Sequence, residues 1–277
     1  MKQFKIGIQL YSLREEMAAD MEATLAAVKA MGYDYVEFAG YFGKSAEEVK
    51  ALLDKHGLTA ISVHQNPDDF LVGGQAVIDY LKVLGVKYAA IPWYDTARLL
   101  ADWKVGTDNI AELGKSLKAN GIQLLYHNHD FEFQKIDGQY LLDKLYATVP
   151  ADLLQPEFDT CWVHYAGENP ATYLAGYADR KIDVVHLKDF TCKTIGGGPV
   201  YELIGVDKEQ SEDEKAARES FRFTPVGYGI QDWASILRSC EKIGAEYLIV
   251  EQDQWYENNP LDCAAKSRAY LRDTFGL

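Results

Sequence analysis

Short apolar runs rich in β-branched and aromatic residues recur along the chain. Between them lie stretches in which apolar residues return every three or four positions. The runs are FKIGIQLY (4–11), YVEF (35–38), LTAISVH (58–64), YAAIPW (88–93), IQLLYH (122–127), LLQPEF (153–158), IDVVHL (182–187) and EYLIVE (246–251). Runs of this kind predict strands, and the spaced stretches predict amphipathic helices. Met21, Leu25, Val28 and Met31 form one helical stripe, and Ile78, Leu81 and Leu84 form another. Ile110, Leu113 and Leu117 make a third, and Trp233, Ile236, Leu237 and Ile243 a fourth. Ser45-Ala-Glu-Glu48 has the form of a capping box, opening a helix through Val49, Leu52 and Leu53. These helices end on Gly32, Gly57, Gly85, Gly121 and Gly244, the residue type best suited to the left-handed turn after a helix.

Strand and helix alternating eight times predict a parallel sheet, and eight such units close as a single (β/α)8 TIM barrel over residues 1–277. An open doubly wound sheet competes, but no GxGxxG follows the first strand and no GxxxxGK[ST] occurs. The interval between Lys188 and Glu251 is out of step, with an insertion at 190–226. Its glycine run and charged stretch, 196–220, read as a loop over the barrel mouth: a lid, or a contact for a partner or a second copy. A merely solvated insertion is the equal alternative.

The 277 residues are 48% hydrophobic and 25% charged, enough to bury a full core. Acidic residues outnumber basic ones 42 to 28, and the formal charge of −14 argues against nucleic-acid binding. The four cysteines form no CxxC pair and read as reduced thiols, so a cytoplasmic protein is expected. The N-terminus does not read as a signal peptide, and no apolar run is long enough to predict a membrane span.

Charged and imidazole groups gather where the strands are expected to end. In a barrel of this kind, the C-terminal ends of the strands carry the active site. Those ends offer Gln9, Tyr11, Glu37, His64, Trp93, His127, His129 and Glu132, then Glu157, Asp159, His186, Lys188, Glu251 and Asp253. All histidines except His56 lie at or just beyond a strand end. Asp159, His186 and Glu251 are the first candidates for a shared site, because charges close to apolar strands need partners or a ligand. Carboxylates with an imidazole suit Mn2+, Mg2+, Co2+ or Fe2+ better than a thiolate zinc site would. From spacing alone, an ion-pair network of Asp159, His186, Lys188 and Glu251 is an equal reading.

Together YHNHDFEF (126–133), EFDTCWVHYAG (157–167), VVHLKD (184–189) and VGYGIQDW (226–233) resemble the sugar phosphate isomerase/epimerase superfamily, also called xylose isomerase-like TIM barrels. The resemblance covers essentially the whole chain. It implies one divalent metal held by Glu132, Asp159, His186 and Glu251, Mn2+ first, with Co2+, Mg2+, Fe2+ or Zn2+ as alternatives. Glu132 falls later than the strand glutamate of the family's ketose epimerases, so His127 or His129 is the alternative first ligand. The implied chemistry is proton transfer next to a sugar carbonyl through a metal-stabilised enediolate. Glu132, Glu251, His127, His129 and Lys188 are the expected catalytic groups. Gln9, Tyr11, Glu37, His64, Trp93, Trp162 and His164 are expected to face the substrate.

Trp162 stands where the ketose epimerases carry a histidine, and is expected to stack on a pyranose ring. HLKD and the HNH pair resemble the branch with inosose dehydratases and enzymes acting on 3-keto-glycosides. The expected activity is a sugar isomerase or epimerase, with a lyase on a keto-sugar, keto-glycoside or inosose as alternative. A non-catalytic sugar-binding subunit and an endonuclease are the remaining classes, and the acidic charge disfavours the last. The absence of an Arg/Lys cluster near a strand end leans the reading towards unphosphorylated sugars.

Overall fold

The computed structural model describes residues 2–196, 219–256 and 259–277. Eight parallel strands form the barrel: β1 (Lys5–Gln9), β2 (Tyr35–Phe38), β3 (Thr59–Val63), β4 (Tyr88–Ile91), β5 (Gln123–His127), β6 (Gln155–Asp159), β7 (Val184–Leu187) and β8 (Tyr247–Val250). Sequence neighbours pair from β1 to β3 and from β4 to β8, and β1 pairs with β8. Between β3 and β4 the barrel closes through a bridge from His64 to Ala90, with the Gln65 N–H donating to the Ala90 carbonyl at 2.9 Å. Every strand overlaps the apolar run that predicts it.

The intervening helices bury the predicted stripes. Ser45 and Glu48 complete both arms of their capping box on the helix Ala46–His56. All five helix-ending glycines have positive φ, between 64° and 95°. Leu25, Val28, Leu53, Leu81, Leu117 and Leu237 are buried against the outer face of the barrel. Such burial stabilises by about 1.5–3 kcal/mol for each large aliphatic side chain.

Inside the barrel the alternation of strand residues builds layers. Ile61, Tyr88, Ala90, Leu125, Val184, Tyr247 and Ile249 form an apolar plug. Gly7 lets β1 approach that plug, since a Cβ there would lie 2.7 Å from Ile249 Cδ1. Above the plug, the next inward positions of β2, β5, β6, β7 and β8 are Glu37, His127, Glu157, His186 and Glu251. Two short antiparallel ribbons lie outside the barrel, Lys135–Ile136 with Gln139–Tyr140 and Asp189–Thr191 with Arg222–Thr224. Most of the loop expected at 196–220 lies outside the described residues. Among the described residues no helix is long and apolar enough to cross a membrane.

Candidate active site and metal centre

The polar layer above the plug is almost fully buried. Glu37, Glu157, Asp159 and His186 are 0% exposed, Lys188 1% and His127 2%. Strand periodicity explains the grouping: Glu157 and Asp159 are two residues apart on β6, as His186 and Lys188 are at the end of β7, so both pairs face inward. His186 spans the barrel, its Nε2 2.7 Å from Glu37 Oε1 and its Nδ1 2.9 Å from Glu251 Oε2. His64 Nε2 lies 2.8 Å from Glu157 Oε2 and 3.1 Å from Glu37 Oε1. Gln9 Nε2 donates to Glu37 at 2.7 Å. Lys188 Nζ lies 2.8 Å from Glu251 Oε2, 2.9 Å from Asp159 Oδ2 and 3.1 Å from Asp253 Oδ2.

Burial disfavours charge here, and the neighbours decide which groups keep it. For His64, nearby Glu37 and Glu157 outweigh burial and push its pKa up to about 10. His186 and Lys188 are likewise raised against burial by the acids around them. His127 and His129 are held well below the usual imidazole range, first by burial and then by neighbouring positive charge. Burial together with the Glu37 charge raises Glu157 to about 7. Glu251 goes the other way, since Lys188 and His186 overcome its burial and keep it ionised.

The network does not satisfy itself. Glu37 Oε2, His127 Nδ1, Glu157 Oε1 and Asp159 Oδ2 are buried without a hydrogen-bond partner. The last has the Lys188 ammonium 2.9 Å away, but out of line for a hydrogen bond. Unmet buried polar groups cost about 1–3 kcal/mol each, so a cluster of them points to a ligand. His127, Asp159, His186 and Glu251 each offer one donor atom, and these atoms all lie within 4.8 Å of one another. A second set, His64, His127, Glu157 and His186, meets the same limit and shares two members. Mixed oxygen and imidazole donors, some unpartnered, fit a divalent cation.

Beside this layer opens a cavity of about 420 Å³, within the range of small-ligand sites. Its walls include Tyr11, Tyr41, Gln65, Trp93, His129 and Asp253, and its floor His64, His127, Lys188 and Glu251.

The model of the xylose isomerase-like TIM barrel family matches residues 25–274. The chain belongs to that family. Inosose dehydratase of Clostridium beijerinckii is 30% identical over 178 residues, which is 64% of this chain and 56% of that protein. The chain therefore matches little more than half the length of that relative. A sugar phosphate isomerase/epimerase from Parabacteroides distasonis superposes with a TM-score of 0.78 at 21% identity, covering 99% of this chain and 96% of its own. An IolI protein solved with a zinc atom superposes with a TM-score of 0.69 at 15% identity, covering 97% of each chain.

Within this xylose isomerase-like barrel, the residues expected at the site separate into three groups. Asp159, His186 and Glu251 come together, and His127 is the fourth residue of that set. Glu132 lies outside both converging sets. The 3-10 turn Phe131–Phe133 carries it back under the strand, where Tyr126 Oη donates to it at 2.8 Å and the His129 N–H at 2.7 Å. It fixes the turn that carries His129. Tyr11, His64, Trp93, His129 and Lys188 line the cavity, while Gln9 and Glu37 lie beneath it.

Trp162 and His164 do not reach the cavity. Trp162 is 0% exposed, one face stacked on Phe221 at 5.7 Å, and cannot receive a sugar ring. It packs with Tyr165, Phe190, Phe221 and Phe223 into a small apolar cluster beside the site. Lys188 Nζ sits 5.3 Å from the Trp162 ring centre and 5.7 Å from that of Phe223, so this cluster walls in the ammonium. His164 Nδ1 is 2.8 Å from Gln231 Oε1, and the Gln231 amide donates to the Lys188 carbonyl at 3.3 Å. Two residues with no expected role belong to the site, Glu157 and Asp253. Their signal was available, since each is two residues from an expected metal ligand on the same strand or its extension.

The VGYGIQDW stretch winds around Asp189. Its carboxylate accepts from the N–H groups of Gly227, Gly229 and Gln231 and from Trp233 Nε1, at 2.8–3.3 Å. Any Cβ at Gly229 would fall 2.1 Å from Asp189 Oδ1, so only glycine fits there. The knot anchors the backbone that carries Lys188.

Proposed function

We propose that this protein is a metal-dependent enzyme that breaks the C–H bond next to a carbonyl on a polyhydroxylated substrate and eliminates water from it. The convergence of His127, Asp159, His186 and Glu251 beside a cavity that also holds His129 and Lys188 carries this reading. A divalent cation held by those four residues would supply Lewis-acid polarisation of the substrate carbonyl, acidifying the neighbouring C–H.

The chain's own groups then divide the proton work. His129 is neutral, and its buried Nδ1 has no hydrogen-bond partner, so it is suited to take up the proton from carbon. Lys188 keeps its ammonium and faces the same cavity, so it is suited to protonate the departing hydroxyl. As the C–H electron pair becomes the new C=C bond, the C–O bond breaks and the hydroxyl leaves as water with the Lys188 proton. Proton return from His129 to Lys188 through solvent balances the cycle. Asp159, Glu251 and Asp253 hold the ammonium in place.

Isomerisation or epimerisation is the second reading, supported by the fold neighbour named as an isomerase/epimerase. It shares the first proton transfer and then returns a proton to carbon. Elimination is favoured by the match to an inosose dehydratase. Incubating the Mn2+-loaded protein with an inosose and with a 3-keto-glucoside in D2O separates the two. Water loss with a conjugated product is expected; deuterium uptake without water loss would transfer the assignment to the second reading.

A further inference from the structure

A second cavity, of about 310 Å³, opens among the helices outside the barrel and shares no lining residue with the catalytic one. That volume is at the lower end of small-ligand sites. Its floor is apolar: Ile78, Tyr94 and Ile110 are buried there, and Phe70 and Leu113 lie half-buried beside them. The two cavities divide one wall between them. Gln65, Asn66 and Asp69 face the catalytic cavity, whereas Pro67, Asp68 and Phe70 line the outer one. Trp93 and Tyr94 divide in the same way, so the helix Pro67–Gly73 is a partition.

This partition is lightly held. The helix has no buried residue, and Leu71 and Val72 are 72% and 92% exposed. Polar contacts at its first turn fix it: Asn66 accepts from the Asp68 N–H at 2.9 Å, and Arg98 Nη1 donates to both Asp68 oxygens at 3.1 and 3.3 Å. Segments with few buried apolar contacts open at low cost. An occupant of the outer cavity would add such contacts along one side of the helix.

The lining also limits the ligand's charge. Its charged residues are Asp68, Arg98 and Glu112. Arg98 already meets Asp68, and Lys115 Nζ lies 2.7 Å from Glu112 Oε1. A charged ligand would have to displace one of these pairs or stay uncompensated over an apolar floor, and both are costly. Asn109 and Ser116 add a neutral carboxamide and a hydroxyl at the exposed rim. The rings of Phe70 and Tyr94 suit a flat apolar face.

We propose that the outer cavity is a second ligand site, taking a small uncharged ring compound that carries a hydroxyl, and that its occupant stiffens the wall of the catalytic cavity. Ordering a segment that both cavities border couples them without any change of shape. The site stands apart from the reaction assigned to the barrel mouth.

The test uses 2-naphthol, uncharged at neutral pH, and its anionic counterpart 2-naphthoate on the Mn2+-loaded protein. Titration calorimetry is expected to give one 2-naphthol per chain, bound at least 10-fold more tightly than 2-naphthoate. Leu113→Trp, which fills the floor, and Ser116→Trp, which blocks the rim, are each expected to weaken binding at least 10-fold with the circular dichroism spectrum unchanged. Should Leu113→Trp fail to fold, the exposed position 116 decides alone. Hydrogen exchange read by mass spectrometry is expected to slow several-fold over residues 66–75 when 2-naphthol binds. No binding, equal or tighter binding of 2-naphthoate, or binding unmoved by Ser116→Trp overturns the site. Protection confined to residues 186–188 and 251–253 overturns it too, since the probe would then occupy the catalytic cavity. Binding at the outer cavity with exchange over 66–75 unchanged overturns the stiffening of the shared wall.

Discussion

The two ends of the barrel both carry charged residues, yet they are built differently. At the N-terminal end the charged groups form closed pairs. Lys5 meets Glu246, Lys87 Nζ donates to Tyr247 Oη at 3.0 Å, and Tyr88 Oη donates to Asp183 Oδ2 at 3.0 Å. Lys181 completes Asp183 at 2.6 Å. Three Lys side chains meet two acids and a tyrosine hydroxyl there, and each of these groups has a partner. At the C-terminal end acids outnumber cations, and one buried donor or acceptor atom in each of Glu37, His127, His129, Glu157 and Asp159 has none. Polarity alone therefore does not mark a functional site. Surplus charge and unmet hydrogen-bonding capacity do.

That contrast can be broken by substitution at either end. His186→Ala removes the residue that bridges Glu37 and Glu251, and turnover is expected to fall by about 10³-fold or more while the circular dichroism spectrum persists. Retained turnover would reduce the C-terminal network to a structural one. Lys188→Met should lower turnover by about 10²–10⁴-fold, the usual worth of a positioned proton donor, with metal content unchanged. Loss of metal together with activity would instead assign Lys188 to holding the ligands.

Glu132 sharpens the comparison through pH. Burial raises its pKa to about 8, against the hydrogen bonds from the His129 N–H and Tyr126, while the unfolded chain keeps the ordinary value of 4.5. The folded state holds this proton more tightly, so its stabilising contribution is complete below pH 4.5 and is lost as pH rises through 8. Urea midpoints at pH 5 and pH 8.5 should show a fall of a few kcal/mol. Glu132→Gln should show a smaller one. At the other end, Tyr88→Phe should cost only about 1 kcal/mol of stability, with no change in turnover or metal. A loss of activity there would mean the two ends are coupled.

How much of this was legible in the sequence depended on whether the cause was local. The strands and helices were, because the period of apolar residues is local information. Asp159, His186 and Glu251 were, because charges closing an apolar run stand out in one dimension. Glu132 misled because the turn Phe131–Phe133 folds it back towards Tyr126, and chain proximity to a strand end does not report direction. Trp162 misled because its covering ring, Phe221, comes from a distant segment. Glu157 was seen at a strand end yet received no role, since its partners His64, His127 and His186 come from three other strands.

The most direct test of the account is metal content per chain by elemental analysis. Wild type, Asp159→Asn and Tyr88→Phe would be loaded with Mn2+ and desalted in parallel. About one ion per chain in wild type and Tyr88→Phe, and essentially none in Asp159→Asn, is the predicted result. No stoichiometric ion in the wild type, or full retention in Asp159→Asn, would contradict it and make both ends of the barrel ion-pair networks of one kind.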